Sequence, residues 1–262
     1  MRKYVEFAKI FFKAQIIYRF DVAITITEVV GRVLFAWLIW GAIFANRDMV
    51  GGFTFQAMLL YYVISSFIAT LEIGNGGEVS ATIRGGHFSK FMVIPINPQL
   101  YWISQNFGVI LYLAIFVLPA AVFCAIIFGA GVYVGQPAAI LLGISMIPIG
   151  LTFMITYHVF IGLLAFKIQD VWVIEMVQSE LIRFTQGGIV PLILLPEVAF
   201  AVIRLLPFPH IIFTPTMLIM GKISFAEGLF SFGLLSLWLA IITLVTQLSY
   251  QHLRVKYDGV GI

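Results

Sequence analysis

The sequence predicts an all-α membrane protein that crosses the bilayer six times. Three observations carry that expectation: the apolar excess of the chain, six segments long enough to span, and the uneven placement of lysine and arginine. Of 262 residues, 61% are hydrophobic and 10% are charged. A soluble domain has about 45–50% apolar and about 25% charged residues, so a soluble fold of this size could not hide so much apolar surface.

A helix needs about 20 mainly apolar residues to cross a bilayer. Six segments qualify: residues 22–45, 55–73, 101–128, 138–166, 171–195 and 225–250. Ahead of them, residues 1–21 place Arg2, Glu6, Lys9 and Lys13 on one helical face and Val5, Phe7, Ala8, Phe11, Phe12 and Ile16 on the other. This is the pattern of an amphipathic helix lying at a membrane interface, in contact with lipid, rather than of a secretory signal. The same pattern would serve a helix packed on a protein partner.

Orientation follows from basic residues in short connections. Arg2, Lys3, Lys9, Lys13, Arg19, Arg84, Lys90, Lys167, Arg254 and Lys256 fall on the side that holds both termini; Arg47, Arg204 and Lys222 fall on the other. Both termini are therefore expected in the cytoplasm. The whole of 1–262 is read as one transmembrane domain, without internal repeat or low-complexity linker.

Some chemistries have no signature in this sequence. There is no G-x-x-x-x-G-K-[ST] phosphate loop, no H-E-x-x-H and no G-x-S-x-G. His87, His158, His210 and His252 lie in four separate segments, so no metal site and no catalytic residue is expected. The single cysteine, Cys124, sits in an apolar run. The basic residues do not form a stripe, which argues against nucleic acid as a partner.

Ionisable residues within spans are costly and mark candidate functional positions. Glu28 and Arg32 are four apart in the first span, and Glu180 and Arg183 three apart in the fifth, so each pair can neutralise itself on one helix face. The fifth also carries Glu175, with Asp170 at its start. These residues either line a subunit interface or polar path, or form structural ion pairs near the headgroups. Gly187, Gly188 and Pro191 then favour a kink or close helix packing. Residues 196–224 are largely apolar yet broken by Pro196 and Pro207, leaving a piece too short to span. That is expected to be a re-entrant half-helix on the outer side.

The connection 74–100 is long for two neighbouring spans, and such loops tend to be functional or disordered. Its apolar residues Phe88, Phe91, Met92, Val93, Ile94 and Ile96 argue against disorder. A short cytoplasmic helix held against a partner is expected.

Two stretches carry a family resemblance. IRGGHFSKFMVIPINPQLYW and TQGGIVPLILLPEVAFAVIRLLPFPHIIFTPTMLIMGK resemble the corresponding stretches of bacterial type-two ABC exporter permeases. The resemblance implies one transmembrane half of an ATP-driven exporter in the bacterial inner membrane, working with a second permease half, identical or related, and two ATPase subunits. ATP and Mg would bind the ATPase chains, not this one. It also implies a cytoplasmic coupling helix that docks the ATPase, which here falls on Glu78, Ile83, Arg84, Gly85, Gly86, His87, Phe88 and Lys90. The outer half-helices, with Pro191, Pro196, Pro207, Pro209 and Pro215, would cap the exit. The first and fifth spans would meet across the dimer. His87 and Lys90 depart mildly from the family pattern. A passive channel or an intramembrane enzyme are the alternatives; the first would leave the long connection without a purpose, and the second lacks converging acid, base and nucleophile.

Overall fold

A computed structural model describes residues 2–131, 133, 135–168, 171–188 and 190–254, without the side chain of Arg19. Asp170 and Lys256 lie outside the described residues. Within them the chain is helical, apart from one isolated two-residue bridge between Val50 and Phe53.

Helix α1 spans Arg2–Gln15, and α2 spans Arg19–Phe44. Helix α3 covers Phe55–Leu71, α4 covers Gly76–Arg84 and α5 covers Lys90–Val93. Then come α6, Pro98–Ile127, and α7, Pro137–Leu163. Helix α8 is Trp172–Thr185, α9 Glu197–Ile203, α10 Phe213–Ile219 and α11 Phe225–Leu253. Five stretches are long and apolar enough to cross a membrane: Phe20–Phe44, Phe55–Arg84, Pro98–Ile127, Pro137–Phe166 and Phe225–Leu253. A sixth is reached if the pair formed by Glu197–Ile203 and Phe208–Ile219, bent by 80°, is counted as one.

The spans start where local chemistry tells them to. Thr54 caps α3 by accepting from the Ala57 amide, and Asn97 caps α6 by accepting from the Leu100 amide. Pro98 and Pro137 occupy first-turn positions, where a missing N–H costs nothing. Ser224 and Glu227 form a reciprocal capping box at α11.

The fifth expected span, 171–195, does not form one helix. Helix α8 has 14 residues and so reaches about 21 Å, less than the hydrocarbon core. It ends because Gly187 adopts φ +75°, a left-handed conformation that closes helices and that residues with a Cβ rarely take. Past Pro191 the chain makes only a short 3-10 turn, Leu192–Leu194. The apolar composition of 189–195 extended the expected span past a backbone break that hydropathy does not register. The expected start at Pro196 and stop at Pro207 do bracket a short helix, α9.

The pieces expected on one side gather at one end of the bundle. Lys3 Nζ donates to the Pro95 carbonyl at 2.6 Å, and the Asn97 amide donates to Tyr4 Oη at 3.0 Å. Phe88 stacks edge-on against Phe166 and lies 6.0 Å from Tyr250, at the ends of α7 and α11. At the opposite end Lys222 Nζ donates to the Gly52 carbonyl, and Thr54 and Tyr133 share a hydrogen bond of 2.9 Å.

Helix α1 uses its aromatic face inside the molecule. Phe7 and Phe11 meet Tyr101 edge-on, and Phe12 meets Tyr112. Gly108 permits this approach, because a methyl there would overlap the Ala8 carbonyl and lie 3.0 Å from the Phe12 amide. Arg2, Glu6, Lys9 and Lys13 face outward, flanked by exposed Val5 and Ile10. Gly108→Val should therefore undock α1, since overpacking costs about 1–3 kcal/mol. Tryptic cleavage after Lys9 and Lys13 is expected to accelerate roughly tenfold, at 1.4 kcal/mol per factor of ten; an unchanged rate would refute the packing role of Gly108.

Candidate functional site

The connector between α3 and α6 is anchored from one face. Val79, Ile83, Phe88 and Phe91 pack into a core with Trp102, Leu151, Ile155, Val159 and Leu163. Their spacing of four on α4, Val79 to Ile83, puts both on its inner side. At the end of α4 the Gly85 amide donates back to the Ala81 carbonyl, and Gly86, at φ +75°, reverses the chain toward His87. The turn drops Phe88 into the core at 0% exposure.

The residues expected to meet a partner thus divide in two. Ile83 and Phe88 point inward and set the position of the segment. Glu78, Arg84, Gly85, His87 and Lys90 are exposed, and Gly86 is half-exposed between them. Gln105 on α6 donates to the Glu78 carboxylate at 3.1 Å, which steadies the outer face. The Lys90 ammonium lies 4.9 Å from the Phe91 ring and 5.4 Å from the Tyr101 ring, within cation–π range. Ala81 and Ser89 share this exposed face.

The charged residues of the first and fifth segments behave as local pairs. Glu28 and Arg32 form a hydrogen-bonded ion pair on α2. Glu180 and Arg183 stand 3.8 Å apart on α8. Both pairs lie on outward surfaces of the chain. Helix α2 packs chiefly on α3 and α6, and α8 on α4 and the turn Phe208–His210. Both helices leave wide apolar faces outward: Phe35 and Leu38 on α2, and Trp172, Val177 and Leu181 on α8.

Glu175 lies elsewhere. Its carboxylate sits against the first residues of α4, and a methyl on Gly77 would come within 3.2 Å of Oε2. Gly187 is likewise internal. Its carbonyl accepts from Tyr61 Oη at 2.6 Å, and a Cβ there would press on Leu192 at 2.9 Å. Gly188 lies near Ile212. The sequence marked these glycines as a kink; in the fold they close α8 beneath α3 and α10.

The outer prolines shape the backbone. Pro191, Pro207, Pro209 and Pro215 are buried, and only Pro196 of the five is exposed, at the N-cap of α9. The side chains that this element presents outward are Ile193, Val198, Val202 and Leu205. The bend between α9 and α10 is held by His210, whose ring nitrogens meet Thr214 Oγ1 and the Arg204 carbonyl, each at 3.0 Å. Since a carbonyl can only accept, Nε2 carries the proton toward Arg204 and Nδ1 accepts from Thr214. Trp238 Nε1 donates to the Leu205 carbonyl at 3.0 Å. Sequence reasoning passed over His210 and Tyr61, because a lone histidine or tyrosine in an apolar run shows no spacing that reveals a backbone partner.

Comparison with known proteins matches residues 30–261 to the family described as ABC-2 family transporter protein. The chain belongs to the ABC-2 transporter family. It is a multi-pass permease component of an ABC transporter, and permeases of this family associate with ABC ATPase components. No curated protein and no solved structure matches the chain. The matched region takes in the connector, α8 and the bent pair, and begins within α2. Among the described residues, no group of three or more His, Cys, Asp or Glu side chains is placed to hold a metal ion.

The two faces of the connector separate in their stability effects. Phe88→Ala is expected to cost about 3–5 kcal/mol, as for other fully buried aromatic side chains. His87→Ala should stay within about 0.5 kcal/mol, as for exposed positions. Thermal unfolding of the purified variants in detergent checks both; equal shifts would contradict the inward anchoring of Phe88.

Proposed function

We propose that this permease is one half of an ATP-driven exporter in a bacterial inner membrane, with both termini in the cytoplasm. The connector end of the bundle faces the cytoplasm and docks a separate ATPase chain. One observation carries the reading: the connector is fastened from within by Val79, Ile83, Phe88 and Phe91 while Glu78, Arg84, Gly85, His87 and Lys90 stay outside. A segment so anchored can pass a push from a partner into α6, α7 and α11 as a rigid-body shift rather than absorbing it.

Three features support the rest. The basic excess of the short connections falls at the connector end, as cytoplasmic loops require. The outward apolar faces of α2 and α8 suit a second permease copy, with Glu28–Arg32 and Glu180–Arg183 near the seam. The bent pair α9–α10 suits an outer cap over the exit. ATP and Mg act on the partner chains, where hydrolysis would drive closure of the two ATPase subunits.

The test reverses charge on the outer face alone. The triple variant Arg84→Glu, His87→Glu, Lys90→Glu should insert and fold, because no buried side chain changes. Its co-purification with the ATPase chain in mild detergent is expected to fall at least tenfold. Undiminished association would remove the connector from the docking site.

A further inference from the structure

Helix α8 is attached to the rest of the chain in an unusual way. Ile182 is the one buried side chain within the helix. Apart from half-buried Ile174, its inward line is polar: Glu175, Gln178 and, just past the end, Gln186 recur at three- to eight-residue steps on the face that Ile182 also occupies. Gln186 and Gln178 each hydrogen-bond a different element, and the Glu175 carboxylate lies against a third. Gln186 Nε2 donates to Glu72 Oε2 at 2.7 Å at the end of α3. Tyr157 Oη of α7 donates to Gln178 Oε1 at 2.7 Å. Glu175 reaches the N-terminal residues of α4.

The last contact explains a sequence feature. Residues 74–77 read GNGG. A methyl on Gly76 would overlap the Glu175 carboxylate and would also lie 2.9 Å from the His158 carbonyl. A methyl on Gly74 would lie 3.2 Å from the His158 ring. Gly76 and Gly77 thus leave room for a carboxylate where the first amides of α4 lack intrahelical partners and the helix dipole is positive.

We infer that Glu175 is a positioning residue that locks α8 to the connector, so that α8 follows α4 when the ATPase moves it. This inference rests on the ATPase-docking reading above. A helix with a hydrophobic seam would hold its place without such a group; α8 has two hydrogen-bonded clasps and the Glu175 carboxylate, and of these three only Glu175 touches the segment expected to be pushed. Glu175 therefore acts within one chain, joining the docking segment to a helix whose outer face, with Val177, Glu180 and Leu181, is free for a second permease copy.

The test is an electron-spin distance measurement between labels at positions outside both proposed contact sets, half-exposed Thr82→Cys on α4 and exposed Val173→Cys on α8, in a Cys124→Ser background. Cys124 is the chain's only cysteine and is buried, so the background is clean and mild. In the isolated chain in nanodiscs, adding Glu175→Ala is expected to broaden the distribution and shift its mode by about 2 Å or more, on the scale of helix displacements. In the complex with the ATPase, the unaltered clasp should keep the distance constant between nucleotide-free and ATP-bound states. A wild-type distance that changes by that amount between states would overturn the inference, as would a Glu175→Ala distribution identical to the parent's. Failure of the ATPase to associate at all would strike the docking reading instead, and the isolated-chain result would still decide whether Glu175 holds α8.

Discussion

Inside a hydrocarbon core no water is available to pair a backbone N–H or C=O, and each unpaired group costs several kcal/mol. The fold follows from that constraint. Long helices satisfy it by themselves along their length; at their starts α3, α6 and α11 carry side-chain caps, and α7 begins at Pro137, which has no N–H to leave unpaired. Of the three places where the chain leaves helical geometry between α8 and α11, the first two draw help from elsewhere. Tyr61 supplies a donor to the Gly187 carbonyl where α8 stops. His210 supplies one to the Arg204 carbonyl where α9 stops, and Trp238 one to Leu205. Each irregular stretch is covered by protein: Leu192 and Phe213 lie in the core with Tyr61, and Ile211 and Ile212 pack with Phe153 and Met154.

Much of this was legible in the sequence because the relevant signal is local. The five long helices begin and end within three residues of where apolar length places them. The helix bracketed by Pro196 and Pro207 was equally legible, since proline acts on its own backbone. The length of the fifth segment was not, because 189–195 is as apolar as a span; Gly187, Gly188 and Pro191 were marked as a kink or close packing, while the end of the helix there lies in the dihedral angles of Gly187. The site divides the same way. The connector and its exposed charges could be read from a composition shift, but the inward turn of Phe88 depends on Gly86 and on the rings of Phe166 and Tyr250, which are distant in sequence. Glu175 was marked as costly, lining an interface or path or else forming a structural pair; that it faces α4 depends on a contact with Gly76 and Gly77, about a hundred residues away.

These features give the permease a division of labour. Helices α4 to α7 and α11 form a body with ordinary apolar packing, and the connector is fixed to that body by four buried side chains. Helix α8 is joined to it by polar contacts and offers its apolar surface outward. A packed body moves as a unit because close packing is not continuously deformable. A helix clasped by carboxylate and amide groups can be carried with it or released. Belonging to the ABC-2 family makes such a link between ATPase and permease the natural use for the arrangement.

The most direct measurement is the composition and mass of the assembly that the tagged chain forms in its native membrane, read by native mass spectrometry after extraction in mild detergent. Two permease chains with two copies of an ATPase is the expected result, and a related second permease in place of an identical one would fit equally. Recovery of the chain alone, or in a homo-oligomer without any ATPase, would contradict the central claim that the connector is a docking site for an ATP-driven partner.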